Sequence, residues 1–463
     1  MLIVNRKNIR SINHIIMKNF FILFIISISS HIQAQSPVLD KYLEEGLNNN
    51  LSLKQQNFSV QKSIKALEES KGLFMPNISF NATYTLAGGG RTIDFPVGDL
   101  LNPVYSTLNQ LTDSNRFPTI PNVNTQLAPN NFQETLIRVV QPIFNSDIYY
   151  SYKAKKELIS VQEAQKKTYE QELKKNIKTA YFQYLQTLKV MDIYDKTKVL
   201  LNEVLRVNQK LVANDKATPE IIYGAEYEIS KLESDISEAH KNQQVAQAYF
   251  NFLLNRPLNS EIIADSTLLV QIAENEALTN LQNQAISQRN EFSQLKSAMN
   301  ANEQSILLNK AGALPKVNAI GNVGYQGFGY KFNNEQDYWL VQFGLQWDLF
   351  KGRQNRRKIE QSVIEQDRLD TQYEELQSQV QLQVQQAYYQ VEASRKSIES
   401  AQSGQISAEK NFHLTRKKYE QGQARYVELI DTRTKYTNAQ ISLAIAQYNY
   451  LIRKAELERA IGE

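Results

Sequence analysis

Cysteine is absent from all 463 residues. That excludes disulfides, thiolate metal sites and a lipid-modified N-terminal cysteine. Histidine is scarce: His14 and His31 lie in the first 34 residues, and His240 and His413 stand alone in helical patterns. Such a set offers little from which to build a catalytic metal centre. No Gly-rich phosphate loop, G-x-S-x-G or H-E-x-x-H occurs. No acid–base pair or nucleophile stands out, so the sequence does not read as an enzyme and calls for no cofactor. Glycine and proline are missing from residues 143–218 and 353–403, and no proline follows Pro315.

An excess of charge is also lacking. Residues 1–34 hold Arg6, Lys7, Arg10 and Lys18 and no acid, so the remainder carries 52 − 4 = 48 basic residues against 48 acidic ones. A neutral chain gives no argument for nucleic acid as a partner. Those first residues read as a secretory signal peptide over 1–34. Met17-Lys18 precedes the apolar "NFFILFIISISS", a small residue follows near Ala34, and Met17 reads as the functional start. The apolar run is too short for a spanning helix.

What is present is long helix. Leu173, Ile177, Ala180, Tyr184, Leu188 and Met191 step by three and four, as do Val380, Val384, Ala387, Val391, Ser394, Ile398 and Ala401. "QVQLQVQ" (379–385) alternates like a strand, but the breaker-free run around it makes it helix. A helix over 147–213 would run roughly 100 Å and must lie beside other long helices.

The chain repeats itself. "TAYFQYLQT" (179–187) matches "QAYYQVEAS" (386–394), and "QPIFNSD" (141–147) parallels "WDLFKGR" (347–353). Two repeats follow, 35–256 and 278–463, joined by a linker over 257–277. The first holds a hairpin over 77–143, with a long loop at 88–132, and helices over 147–213 and 219–254. The second holds a hairpin over 316–350 and helices over 353–421 and 426–461.

The strands are the apolar exception. "NISFNATYTL" (77–86) alternates without fault, and "DYWLVQFGLQWDLF" (337–350) places Trp339, Val341, Phe343, Leu345 and Trp347 on one face. These are the only two tryptophans. Eight residues cover about 26 Å along a strand, or roughly 20 Å of height when tilted, close to the apolar band of a membrane barrel. Trp339 and Trp347 therefore read as interface aromatics at both edges of a lipid layer. Four strands cannot close a barrel, and open edges in lipid leave backbone groups without partners. Closure requires further copies: two would give eight strands and three would give twelve.

The pattern resembles the TolC-type outer-membrane efflux proteins over about residues 37–462. The likeness is carried by "VVQPIFNSDIYY" (139–150), "FGLQWDLFKGRQNRRK" (343–358), "KKYEQGQARYVELIDTRTKYTNAQ" (417–440) and "YNYLIRKAELERAIG" (448–462). The resemblance implies a mainly α fold with a membrane β-barrel portion. It implies a homotrimer whose 12-stranded barrel sits in the cell outer membrane and continues into a periplasmic 12-helix tunnel. It implies a passive exit channel, joined through a periplasmic adaptor (membrane fusion) protein to an inner-membrane pump of RND or ABC type. The same resemblance admits the outer-membrane component of a type I protein secretion system. A secreted helical rod keeps the helices but leaves four strands in matching places without a reason.

Within that resemblance the helix–turn–helix near Gly422 is the periplasmic tip. Glu428 and Asp431 fall where the family carries acids facing the aperture, and their spacing puts them on one helix face. Three copies would make a ring of six carboxylates. Tyr419 and Arg425 are candidates to tether neighbouring helices. In the first repeat Asp215 takes the place of Gly422, Pro219 starts the next helix, and Gly224 stands where Asp431 would. The ring would therefore come from the second repeat alone. Loop 88–132 is too long for a hairpin turn. Its apolar "LLNPVY" leaves two readings open, a partly ordered lid or a disordered linker.

Overall fold

The computed structural model describes residues 36–265, 272 and 276–463. The signal-peptide reading and part of the 257–277 linker lie outside them. The described residues form nine helices and six strands, and the helices dominate. In chain order they are α1 (Pro37–Asn49), α2 (Leu51–Gly72), β1 (Asn77–Thr85), β2 (Thr92–Phe95), α3 (Val97–Leu111), β3 (Val123–Gln126), β4 (Phe132–Phe144), α4 (Ser146–Ala213) and α5 (Glu220–Leu253). There follow α6 (Leu278–Gln288), α7 (Asn290–Ala311), β5 (Lys316–Phe328), β6 (Asp337–Gln346), α8 (Gln354–Glu420) and α9 (Tyr426–Ile461).

The duplication is visible in backbone geometry. α4 and α8 have 68 and 67 residues. The turns after them each need one left-handed residue, Asp215 (φ +59°) and Gly422 (φ +73°). The next helices end on another such pair, Asn255 (φ +56°) and Gly462 (φ +96°). Each pair is 207 residues apart. Gly, Asn and Asp are the residues that reach this region most readily, so the repeat keeps the turn while changing the letter. Each repeat's opening helix also breaks once, at Asn50 (ψ 125°) and Arg289 (ψ 128°). Both residues are buried and polar. Asn50 bridges the Leu253 carbonyl (2.9 Å) and the Leu53 amide (3.0 Å). Arg289 donates to Gln383 (2.6 Å) and ion-pairs with Glu291 (2.7 Å).

The chain divides into two compact units. Unit one comprises residues 36–60, 162–294 and 372–463, and is helical. Its core has two clusters, one per repeat. Leu173, Ile177, Ala180 and Tyr184 lie in the first; Val380, Val384, Ala387 and Val391 lie in the second. These positions correspond pairwise at the 207-residue offset, and all eight are buried. Close approach has a specific cause in the first cluster: a Cβ on Gly46 would overlap the Ile177 Cδ1 and come within 3.1 Å of Leu254. The second cluster holds Ala285 and Val384 in the matching places.

Unit two comprises residues 61–161 and 295–371 and contains the strands. β1, β4, β5 and β6 form one antiparallel sheet in that order, so the two hairpins join through β4 and β5. Pro142 sits next to a register shift in β4, beyond the last residue paired with β1. There its missing N–H is tolerated. Residues 88–132 are ordered: β2 and β3 pair, and α3 is fixed to the following loop by reciprocal amide bonds from Asn102 to Ile120 and from Asn109 to Phe117. The disordered-linker reading of this loop is therefore corrected, because three asparagines including Asn122 satisfy backbone groups that a linker would leave to water. β6 ends at Gln346, so Trp347 lies just past the strand rather than in it.

Candidate functional site

Two places concentrate unusual chemistry: the four-stranded sheet of unit two and the paired helical turns of unit one.

In an antiparallel sheet, residues directly opposite one another share a face. The pairing places Phe80, Ile137, Val323 and Trp339 in one row across all four strands. The next row on that face is Ile78, Val139, Gly321 and Val341, followed by Ala319 with Phe343 and Val317 with Leu345. In the single chain this face is bare: Trp339 is 77% exposed, Phe343 75% and Phe80 70%. Removing each such side chain from water is worth about 1.5–3 kcal/mol. The whole row set therefore rivals the net stability of a domain, roughly 5–15 kcal/mol, and water is not its medium. Trp347 stands at one end of this set, its Nε1 donating to the Ala313 carbonyl at 2.9 Å.

The opposite face is mostly polar. It carries Asn77, Ser79, Asn81 and Thr83 from β1, and Glu134 and Arg138 from β4. Arg138 Nε donates to Asn322 Oδ1 at 3.1 Å, and Tyr338 Oη donates to Glu134 Oε1 at 3.1 Å. Gly324 lies opposite Tyr338. β1 and β6 each pair on one side only within this sheet.

The turns of unit one are organised by buried polar groups. Asn208 is fully buried on α4. Its Nδ2 donates to the Ile221 carbonyl (2.8 Å), closing the first hairpin, and its Oδ1 accepts from Tyr419 Oη (2.7 Å) on α8. Tyr426, the first residue of α9, lies over Gly224: a Cβ there would meet its ring at 2.7 Å. Deeper in, Arg433 of α9 donates to Glu228 of α5 at 2.5 Å, and both side chains are largely buried. Burial pushes the Arg433 guanidinium below its ordinary pKa, and the Glu228 charge opposes this. Burial, with the same Glu228 charge, raises the Tyr426 phenol.

Of the residues singled out from sequence, Tyr419 joins two helices through Asn208. Arg425 instead caps its own helix, pairing with Glu428 at 2.9 Å. Asp431 pairs with Lys435 at 2.8 Å. Both acids are exposed, and each has a cation beside it. Gly422 supplies the left-handed turn, and Pro219 directly precedes α5. Asn208, Glu228, Tyr426 and Arg433 were not legible as site residues. A signal existed for two of them: Arg433 interrupts the buried series Leu429 and Thr437 at steps of four, and Glu228 interrupts Ala225 and Leu232. Among the described residues no group of three or more His, Asp or Glu is placed to hold a metal ion, and no helix is long and apolar enough to cross a membrane.

Residues 281–463 match the family model described as outer membrane efflux protein. That match covers most of the second repeat. A likeness of fold extends over most of the chain. The outer-membrane channel OprN superposes with a TM-score of 0.74 at 13% identity, covering 92% of this chain and 90% of that one. The CmeC outer membrane channel of Campylobacter jejuni gives 0.71 at 13%, covering 92% and 86%. The MtrE outer membrane channel of Neisseria gonorrhoeae, solved in its open state, gives 0.73 at 15%, covering 92% and 89%. At these identities the likeness is one of fold. A comparison with curated proteins finds no match. The family match over the second repeat and the shared fold support an outer-membrane channel component rather than an enzyme.

Proposed function

We propose that the protein is the outer-membrane exit duct of a tripartite efflux system. Three copies would join β6 of one to β1 of the next, closing twelve strands around water. The helices would continue as a periplasmic tunnel to an adaptor protein, and beyond it to an inner-membrane pump. The observation that carries this reading is the sheet: one face apolar and bare, the other polar, both edges unpaired. In lipid an open edge leaves each free backbone group without a partner at several kcal/mol, so a lone copy cannot be the working form. Trp339 and Trp347 would mark the two lipid–water boundaries, and Glu428 and Asp431 would line the aperture. Arg425 and Lys435 offset part of that acidic charge.

The test is purification in mild detergent followed by native mass measurement and planar-bilayer recording. Trimeric mass and stable conducting events are expected. A cysteine pair introduced on facing positions of β1 and β6 should cross-link between copies and not within one. Monomeric, non-conducting material would overturn the proposal.

A further inference from the structure

Four charged residues occur on the four strands of the large sheet: Glu134, Arg138, Lys316 and Asp337. Lys316 is neutralised by Asp147, and Asp337 is the first residue of β6. Arg138 is different. It lies in the row Ser79, Arg138, Asn322, Leu340, one residue from the apolar row that contains Trp339. It makes no ion pair among the described residues, and its one hydrogen bond, from Nε to Asn322, leaves both terminal nitrogens of the guanidinium unengaged. An arginine at this depth on the lipid side would cost about 2–4 kcal/mol. On the polar side it is a fixed cation whose stem is oriented by Asn322.

We propose that Arg138 forms an anion-attracting collar inside the barrel, selecting for small anions and for anionic groups on larger solutes. This rests on the duct reading, because the collar exists only when copies close a lumen. Twelve strands about 4.8 Å apart and tilted about 40° enclose a backbone diameter of roughly 24 Å. An arginine reaching several ångströms inward brings its charge to about 8 Å from the axis, inside one Debye length of roughly 10 Å at 0.1 M salt. Three such charges, screened in water, enrich a univalent anion on the axis about threefold and deplete a cation as much. Glu134 stands four residues away on the same strand, about 13 Å along it, and is tied to Tyr338. With the tilt that is about 10 Å of height, roughly one Debye length, so its carboxylate band weakens the collar without cancelling it.

The experiment is the reversal potential of the reconstituted full-length protein in a KCl gradient. Arg138→Ala should lower the chloride-to-potassium permeability ratio by about threefold or more, and Arg138→Lys should leave it near wild type. Glu134→Gln should raise the ratio, and Arg138→Gln serves as the deciding variant if Arg138→Ala fails to assemble. A conducting wild type whose reversal potential is unmoved by these changes overturns the collar alone. A wild type that never conducts overturns the duct and the collar together.

Discussion

Replacing Arg433 by methionine removes one half of a buried ion pair and strands the other. Arg433 and Glu228 side chains are 7% and 16% exposed. That places them outside the regime of surface pairs, which contribute about 0–1 kcal/mol. Two unit charges about 4 Å apart at an effective dielectric near 20 attract by about 4 kcal/mol. Breaking such a pair from one side typically costs 3–5 kcal/mol, because the remaining charge stays desolvated. Arg433→Met should therefore loosen the contact between α5 and α9. Amide hydrogen exchange over residues 220–235 and 426–437 should accelerate roughly a hundred- to a thousandfold, at tenfold per 1.4 kcal/mol. Glu228→Leu with Arg433→Met should restore slow exchange, since apolar replacement of a whole buried pair is often neutral or better. Unchanged exchange in Arg433→Met, or a double variant worse than the single, would refute the reasoning.

Other predictions are more local. Gly46→Ala should destabilise unit one by about 1–3 kcal/mol through overlap with Ile177, and Ile177→Val should recover most of it; thermal unfolding of the two variants and their combination checks this. Burial alone would raise the Glu291 pKa, but hydrogen bonds from Arg289 and Arg459 outweigh it and hold the group at about 2. A depressed folded pKa stabilises the fold above the unfolded value near 4.5 and loses that contribution as pH falls toward 2, so the stability difference between wild type and Glu291→Gln should shrink across that window. Glu428→Ala with Asp431→Ala should abolish any block of conductance by divalent cations; unchanged block would remove these residues from the aperture.

Tyr419→Phe isolates the role of one hydroxyl. It leaves the Oδ1 of fully buried Asn208 without its partner across α4 and α8. A loss of about 1–3 kcal/mol is expected in the local opening of residues 205–222, read by hydrogen exchange. Exchange equal to wild type would mean that the bond contributes nothing to closure of the turns.

The repeats, the long helices and the alternation of the strands are legible in the amino-acid order, because these are periodic. A missing breaker, a step of three and four, or a step of two is written in consecutive letters, and Leu173, Ile177, Val380 and Val384 are buried for the reason their spacing indicates. Which residues meet across helices was decided only in three dimensions. Asn208 reaches Tyr419 over 211 positions and Glu228 reaches Arg433 over 205. No local pattern encodes such a meeting, since it depends on how the helices pack. The order of loop 88–132 likewise came from asparagine side chains finding backbone partners up to 23 residues away. The capture of Glu428 and Asp431 by Arg425 and Lys435 was within reach of the sequence, three and four residues apart. The same helical spacing that puts the two acids on one face sets a cation beside each of them.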